Sequence, residues 1–347
     1  MIENATGNLL QAEAEALVNT VNCVGVMGKG IALQFKQAWP EMAEEYQRLC
    51  RCGEMRPGQV QVWETRTLHD PKYIINFPTK REWFRSSNYA DIASGLASLA
   101  QAIRERNIRS VAVPALGCGA GGLAWSKVRP MIEQAFADLP EVRVLLFGPG
   151  ETPPAQSRVV RTNRPALTTA RALFIAVIER YGALAYPVTQ LEIQKLAYFL
   201  QEAGEPLRLK VQKGIYGPYA DNLNKVLETL EGHYIRGYDG SRKPDQEIVL
   251  VESAATEAEA FLTHEPEAQA RLARIGRLIE GFETPYGMEL LSSTHYVAAH
   301  ESPPATTADE AVAMVHAWNE RKRGLLAAEH IRVAWDHLCS SGWTRVA

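Results

Sequence analysis

The chain has 347 residues, of which 46% are hydrophobic and 22% charged, and its net charge is -3. This length fits two domains, and this composition excludes a disordered or collagen-like chain. The chain has no apolar run long enough for a transmembrane helix and no secretory pattern at its start, so we expect a cytoplasmic protein. Its five cysteines show no repeated spacing and predict neither a disulfide framework nor a metal site.

Residues 1–150 alternate short β-branched runs with helical patterns, which is typical of an α/β sandwich with a parallel or mixed sheet. We predict strands at 16–21, 60–64, 73–77, 110–114 and 142–147, and helices at 30–39, 41–50, 89–106 and 126–139. Within 89–106, apolar residues recur at spacings of three and four from Ile92 to Ile103. This stripe would pack against a sheet.

Residues 151–165 are rich in proline and polar residues and are predicted to link two domains. Residues 1–150 contain 16 Lys and Arg against 15 Asp and Glu, whereas 167–347 contain 18 against 24. The carboxyl-terminal half is therefore the acidic one.

Residues 166–347 predict a mainly helical domain with a small β element. Thr189 with Glu192, and Thr307 with Glu310, fit the capping box that marks a helix start. The first of these helices is predicted to end at Gly204. A short pair of strands is predicted at 207–212 and 247–251, and further helices are predicted within 254–282 and 309–338.

The segment 216–219, Tyr-Gly-Pro-Tyr, predicts a rigid turn, because Pro218 fixes its own φ and favours an extended Gly217. Two interpretations stay open for this turn. It leads into a helix with both tyrosines packed on the core, or it forms a protein-binding edge.

Two glycine-rich loops follow predicted strands of the first half, at 19–36 and 114–125. Backbone of this kind that runs into a helix start offers unpaired N–H groups to a phosphate, so two such loops can hold a diphosphate between them. Neither loop has GxGxxG or P-loop spacing, which argues against dinucleotide redox binding and P-loop hydrolysis. The alternative is that both glycine-rich loops are tight turns that bind no ligand.

Four motifs in order resemble the macrodomain, an ADP-ribose-binding fold: GNLL at 7–10, residues 18–36, IINFPTK at 74–80 and ALGCGAGGL at 115–123. More narrowly, the chain resembles the DarG family of antitoxins, whose macrodomain removes ADP-ribose from thymidine bases of DNA. Residues 191–204 and 216–223 resemble the toxin-neutralising domain of that family.

The resemblance implies an ADP-ribose site. Asn8, where the family usually has an aspartate, and Leu9 would hold the adenine, and Asn22 would face the distal ribose next to the bond that is broken. The other implied contacts come from two strand ends and both loops: Thr20, Val21, Gly28, Lys29, Gly30, Ile31, Ala32, Thr79, Gly117, Cys118, Gly119, Ala120, Gly121, Gly122 and Leu123.

Lys80 is the catalytic residue that the resemblance implies, together with Asn22. A neutral amine can attack C1 of the ribose, whereas a charged amine would stabilise the leaving base, and the sequence leaves both roles open. Without the resemblance, an isolated lysine is usually a solvated charge. The acidic residue that assists such a lysine in related hydrolases is absent, because the second loop has Cys118-Gly-Ala-Gly121 there.

Arg81, Trp83 and Arg85 interleave cations with an aromatic ring and are predicted to bind single-stranded DNA. The alternative is a buried tryptophan flanked by solvated arginines. Cys23 and Cys118 lie in the loops without a histidine nearby in sequence, so we predict that they pack and are not nucleophiles.

We therefore expect a DNA ADP-ribosyl glycohydrolase and antitoxin that needs no cofactor or metal. Its substrate would be ADP-ribosylated DNA, and its acidic half would bind a DarT-type transferase. Two alternatives stay open: a non-catalytic ADP-ribose-binding module that acts only by sequestering the toxin, and a hydrolase of ADP-ribosylated protein.

Overall fold

The computed structural model describes residues 1–150, 158–182 and 188–344. It divides the chain into two compact units, Met1–Asn163 and Arg164–Ala347. Part of the predicted linker, residues 151–157, lies outside the described residues. Among the described helices, none combines the length and the apolar character that crossing a membrane requires.

The first unit is a six-stranded mixed sheet covered by helices, which confirms the predicted fold class. Its strands are β1 (Ile2–Ala5), β2 (Ala16–Val21), β3 (Gln61–Glu64), β4 (Tyr73–Pro78), β5 (Ser110–Val113) and β6 (Arg143–Phe147). Its helices are α1 (Gly30–Ala38), α2 (Pro40–Arg51), α3 (Tyr89–Glu105) and α4 (Trp125–Ala135), with a 3-10 turn at Leu9–Gln11.

The strand order is β1-β6-β5-β2-β4-β3. Strand β3 runs antiparallel to β4, and the other neighbours pair in parallel. The carboxyl ends of β5, β2 and β4 therefore meet at one edge of the sheet, and the segments that follow these strands start there.

Both faces of the sheet are buried. The side chains of β2 point alternately to one face and to the other. Ala16 and Val18 pack into a cluster with Leu96 of α3, whereas Leu17 packs into a second cluster with Phe35 of α1. Successive side chains of a strand point to opposite faces. The sheet thus lies between two helical layers, and its central parallel strands bury side chains on both sides.

The second unit is mainly helical, as predicted, and its described residues form two small sheets where the sequence predicted one short pair of strands. Its helices are α5 (Thr169–Gly182), α6 (Gln190–Glu202), α7 (Leu223–Leu230), α8 (Ala254–Leu262), α9 (Pro266–Ile279), α10 (Pro285–Ala299), α11 (Ala308–Trp318), α12 (Glu320–Leu325) and α13 (Ala328–Ser340). Its strands are β7 (Val188–Thr189), β8 (Val211–Gly214), β9 (Gly217–Ala220), β10 (Ile235–Arg236) and β11 (Glu247–Leu250).

The capping box predicted at Thr189 is confirmed, because the Glu192 carboxylate accepts from the Thr189 N–H at 2.7 Å while the Thr189 side chain caps α6. The box predicted at Thr307 is only half formed. Thr307 accepts from the Glu310 N–H at 3.2 Å, but the Glu310 carboxylate accepts from Thr306 N–H at 2.7 Å. The glutamate reaches one residue further back than the motif predicts.

The predicted pairing of 207–212 with 247–251 is wrong. Strand β8 pairs with β9, and β11 pairs with β7 and β10. The segment 216–219 is neither a helix entry nor extended at Gly217, whose φ is +104°. A left-handed glycine lets the chain reverse between β8 and β9, and this local hairpin competes successfully with the more distant partner.

A buried ionic cluster lies inside the second unit. The Lys322 ammonium donates to Glu289 at 2.8 Å and to the Ser293 hydroxyl at 2.8 Å. The Lys195 amine donates to the Pro218 carbonyl of β9 at 2.7 Å and is 2% exposed. Burial and, secondarily, the charge of Lys322 lower the pKa of Lys195 to about 7.

Candidate functional site

Three segments meet at the carboxyl edge of the first sheet, because β5, β2 and β4 are adjacent and parallel. We call residues 22–29 the first loop, residues 114–124 the second loop, and residues 81–85 the basic aromatic segment. The two loops contain no carboxylate, so nothing in them repels an anion.

The first loop is folded around the side chain of Asn22, which is 6% exposed. Its Oδ1 accepts from the N–H groups of Val24 at 3.0 Å and Val26 at 3.3 Å, and its Nδ2 donates to the Val26 carbonyl at 2.6 Å. The Tyr46 hydroxyl of α2 lies 2.9 Å from the Asn22 carbonyl and 3.1 Å from Oδ1. Asn22, which was predicted to face the ribose, therefore also holds the first loop in its conformation through these hydrogen bonds.

The first loop ends at the amino terminus of α1. Lys29 is the N-cap and makes no side-chain capping bond, and Gly30 has a φ of +60°. Lys29 and Gly30 are exposed, while Ile31 and Ala32 of the first turn are half-buried. A helix start without a side-chain cap carries N–H groups and a partial positive charge that suit a phosphate.

The second loop turns back on itself, since Leu123 N–H donates to the Gly117 carbonyl at 3.1 Å and Gly122 N–H to the Gly119 carbonyl at 3.0 Å. Gly117 and Gly122 have φ values of +70° and +77°. Residues Gly119 and Ala120 are exposed at its tip, whereas Gly121 is buried. The tip therefore presents bare backbone to solvent.

A side chain would be crowded at Gly121 but would have free space at Gly119. A Cβ on Gly121 would lie 2.2 Å from the Gly117 carbonyl oxygen and 2.3 Å from the Ser87 hydroxyl, whereas a Cβ on Gly119 would meet nothing within 4 Å. Ser87, which the sequence did not suggest, also donates its N–H to the Gly121 carbonyl at 3.0 Å. Gly121 is required for packing, and Gly119 borders open space.

Lys80 follows β4, and its ammonium donates to the Ala120 carbonyl of the second loop. Because β2 lies between β4 and β5, this side chain reaches across the end of β2, where Asn22 lies. Partial burial and the charge of Lys29 lower the pKa of Lys80. The lysine is therefore held against the second loop and is not a freely solvated charge.

Several of the remaining predicted contact residues have structural roles of their own. Asn8 caps the 3-10 turn by accepting from Leu10 N–H at 3.0 Å, and the Leu9 side chain is buried in the core. Thr79 N–H donates to the Val21 carbonyl at 2.9 Å, which extends the β2–β4 pairing to the site. Thr20 is half-buried, and Cys118 is half-buried in the second loop.

The basic aromatic segment is solvent-exposed. Trp83 and Phe84 are 52% and 64% exposed, and their rings form a T-shaped pair with centroids 5.4 Å apart. Arg81 lies 3.3 Å from Asp91, and Arg85 pairs with Glu82. The alternative of a buried tryptophan is therefore wrong.

The loop cysteines are poor nucleophiles. Burial raises the pKa of Cys23 to about 11 and also raises the pKa of Cys118, so both thiols are protonated near neutral pH. Within the described part of the chain, no three His, Cys, Asp or Glu side chains form a metal-binding group.

Comparison with known proteins gives a family match and close relatives. The Macro domain model matches residues 18–132. The DNA ADP-ribosyl glycohydrolase of Thermus aquaticus is 44% identical over 345 residues, 99% of this chain and 95% of that protein.

Two further matches are partial. A DNA ADP-ribosyl transferase-DNA ADP-ribosyl glycohydrolase fusion protein of Thermosipho africanus is 32% identical over 160 residues, 42% of this chain and 41% of the fusion. The solved macrodomain of Mycobacterium tuberculosis DarG is 53% identical, with 43% of this chain and 99% of that chain covered and a TM-score of 0.43.

Proposed function

The chain belongs to the DNA ADP-ribosyl glycohydrolase family, and we propose that it hydrolyses ADP-ribose from thymine bases of single-stranded DNA. The family predicted from the sequence motifs is thereby confirmed. The observation that carries the assignment of the active site is Lys80, whose ammonium bonds the second loop across the end of β2.

The diphosphate of ADP-ribose would lie between the two loops. The uncapped start of α1 and Lys29 supply positive charge on one side, and the exposed backbone of Gly119 and Ala120 forms the other. The adenine would extend toward Asn8 and Leu9. This arrangement leaves the distal ribose next to Asn22 and Lys80.

Hydrolysis breaks the bond between C1 of the distal ribose and a nitrogen of the base. Water supplies the new oxygen on C1, and its proton leaves with the base. Lys80 acts here in one of the two ways that the sequence left open, and its lowered pKa makes the neutral amine more accessible than in an ordinary lysine. As the ammonium, the same group would stabilise the charge that develops on the departing base.

The basic aromatic segment would bind the DNA strand that carries the modification. Arg81 and Arg85 would lie near phosphates, and the exposed Trp83 ring offers a face on which a base can stack. Because this segment begins directly after Lys80, the strand would enter at the catalytic lysine.

The acidic unit would bind a DarT-type transferase, so that the protein both repairs the damage and restrains the enzyme that causes it. Residues 167–347 carry 24 Asp and Glu against 18 Lys and Arg, and a DNA-modifying enzyme needs a positively charged groove. The fused transferase and glycohydrolase of the Thermosipho relative also supports this pairing. With cellular DNA as substrate, the protein would work in the cytoplasm.

Turnover of a defined substrate tests the proposed activity. A single-stranded oligonucleotide with one ADP-ribosylated thymine should yield free ADP-ribose and the unmodified oligonucleotide. Binding without release would favour a pure ADP-ribose-binding module, and release only from modified protein would favour the protein hydrolase.

Capture experiments test the partner. A DarT-type transferase should co-purify with residues 164–347 and should not co-purify with residues 1–163, and the complex should weaken as salt increases. Capture by the first unit alone, or by neither unit, would contradict this part of the proposal.

A further inference from the structure

Exposed apolar side chains concentrate around the catalytic lysine. Among the described residues of the first unit, the large hydrophobic side chains that are exposed are Met1, Val24, Val26, Leu68, Trp83 and Phe84. Four of these six lie in the first loop or the basic aromatic segment. Exposed apolar side chains that gather on neighbouring segments are a feature of binding sites.

The two valines are held in place. Asn22 Oδ1 accepts from the N–H groups of both valines, and the Val26 carbonyl accepts from Asn22 Nδ2. Their side chains nevertheless remain 49% and 41% exposed. The hydrogen bonds of Asn22 therefore fix the backbone of both valines and leave their side chains accessible from outside the protein.

The valines also lie beside the segment that would bind DNA. Cys23 N–H donates to the Arg81 carbonyl at 3.1 Å, so the first loop and the basic aromatic segment leave the sheet side by side. Lys80 immediately precedes Arg81 in the chain. A base released at Lys80 would therefore leave next to these two segments.

We propose that Val24 and Val26 form the subsite for the C5-methyl group of the base, and so set the preference for thymine. This inference rests on the proposed function and adds the residues that select the base. Apolar side chains are the usual partners of the thymine methyl group. The exposed aromatic rings can stack on the face of any base, so they do not distinguish a base with this methyl group from one without it.

Paired substrates test the subsite. Two synthetic single strands carry ADP-ribose on thymine or on uracil at the same position, and the bases differ only in the methyl group. One methyl in an apolar site is worth about tenfold or more in kcat/KM. The parent should therefore prefer the thymine substrate by about that factor.

In the double variant Val24→Thr with Val26→Thr, which preserves side-chain shape, the ratio of kcat/KM for thymine over uracil should fall toward one. The matched control is Leu68→Thr, an exposed apolar residue that is 95% exposed and outside both segments, and it should keep the parent's ratio. Thermal unfolding checks that the double variant is folded.

Two results would overturn the inference: a parent that treats both substrates equally, or a folded double variant that retains the parent's preference. A parent that releases ADP-ribose from neither substrate would instead refute the proposed function, and the inference would fall with it. The ratio separates these cases, because it is defined only when hydrolysis occurs.

Discussion

Gly119→Glu should weaken ADP-ribose binding strongly without unfolding the protein. A Cβ at Gly119 meets nothing within 4 Å, and this glycine is not among those with positive φ. Replacing such a glycine reduces the entropy of the unfolded chain, so the free energy of unfolding should stay the same or rise by up to ~1 kcal/mol.

The loss of binding follows from charge. With the diphosphate bound against the second loop as proposed, two like charges at a separation of about 5 Å repel by about 3 kcal/mol at an effective dielectric constant of about 20. That energy corresponds to a dissociation constant about 100-fold higher.

Calorimetry with free ADP-ribose measures this difference. The variant Gly119→Gln has the same shape without the charge and should lose less affinity. Gly121→Ala provides a structural contrast, because its Cβ would lie 2.2 Å from the Gly117 oxygen and should destabilise the loop itself. If Gly119→Glu bound ADP-ribose as tightly as the parent, the diphosphate would not lie at the second loop.

Three further changes address other parts of the molecule. Trp83→Ala should raise KM for modified DNA about tenfold or more, since stacking of a base on an exposed ring is worth about 1–3 kcal/mol. The affinity for free ADP-ribose should stay unchanged. Equal losses in both assays would contradict a DNA-binding role of Trp83. Tyr46→Phe removes the hydroxyl that bonds Asn22, and should lower the free energy of unfolding by about 1 kcal/mol and slow hydrolysis; unchanged urea unfolding and kinetics would show that the loop does not need this contact. The pKa of Lys195 is about 7 in the folded protein and lies below its value in the unfolded chain. Between pH 7 and about 10 the unfolded state therefore binds more protons, so the free energy of unfolding rises with pH by at most about 1.4 kcal/mol per pH unit. Urea unfolding of Lys195→Met at pH 7 to 9 should show a smaller rise, and an identical slope would mean that Lys195 is not titrating in this range.

Periodicity was sufficient for most of the regular elements of the first unit. Strand β2 occupies 16–21 as predicted, because its alternating apolar residues serve two buried faces. Helix α3 follows its stripe of apolar residues closely. Strand β1 was not predicted, since its four residues Ile-Glu-Asn-Ala are too short and too polar to show a pattern.

The sequence did not show which partner each strand and cap of the second unit takes. Strand β8 pairs with the neighbouring β9 and not with the distant β11, and the Glu310 carboxylate accepts from Thr306 N–H and not from Thr307 N–H. Helix α10 was also not predicted, because its buried face includes Ser292, Ser293 and His295 and therefore lacks an apolar stripe.

The two glycine-rich loops of the candidate site could be predicted from the sequence. Both loops are recognisable in the sequence because glycines cluster after strands. The supporting contacts of Tyr46 and Ser87 were not predictable, since each comes from another element and depends on the folded sheet. The exposure of Trp83 likewise needed the structure, because tryptophan side chains are buried on average.

The most direct test of the catalytic site is Lys80→Ala, measured in two assays on the same preparation. Single-turnover release of ADP-ribose from thymine-modified single-stranded DNA should slow by about 100- to 1,000-fold, the usual effect of removing one group that stabilises a transition state. Calorimetric affinity for free ADP-ribose should remain within a few-fold of the parent, because the diphosphate contacts come from the two loops. Release at the parent's rate would contradict the account, because Lys80 would then be only a surface charge.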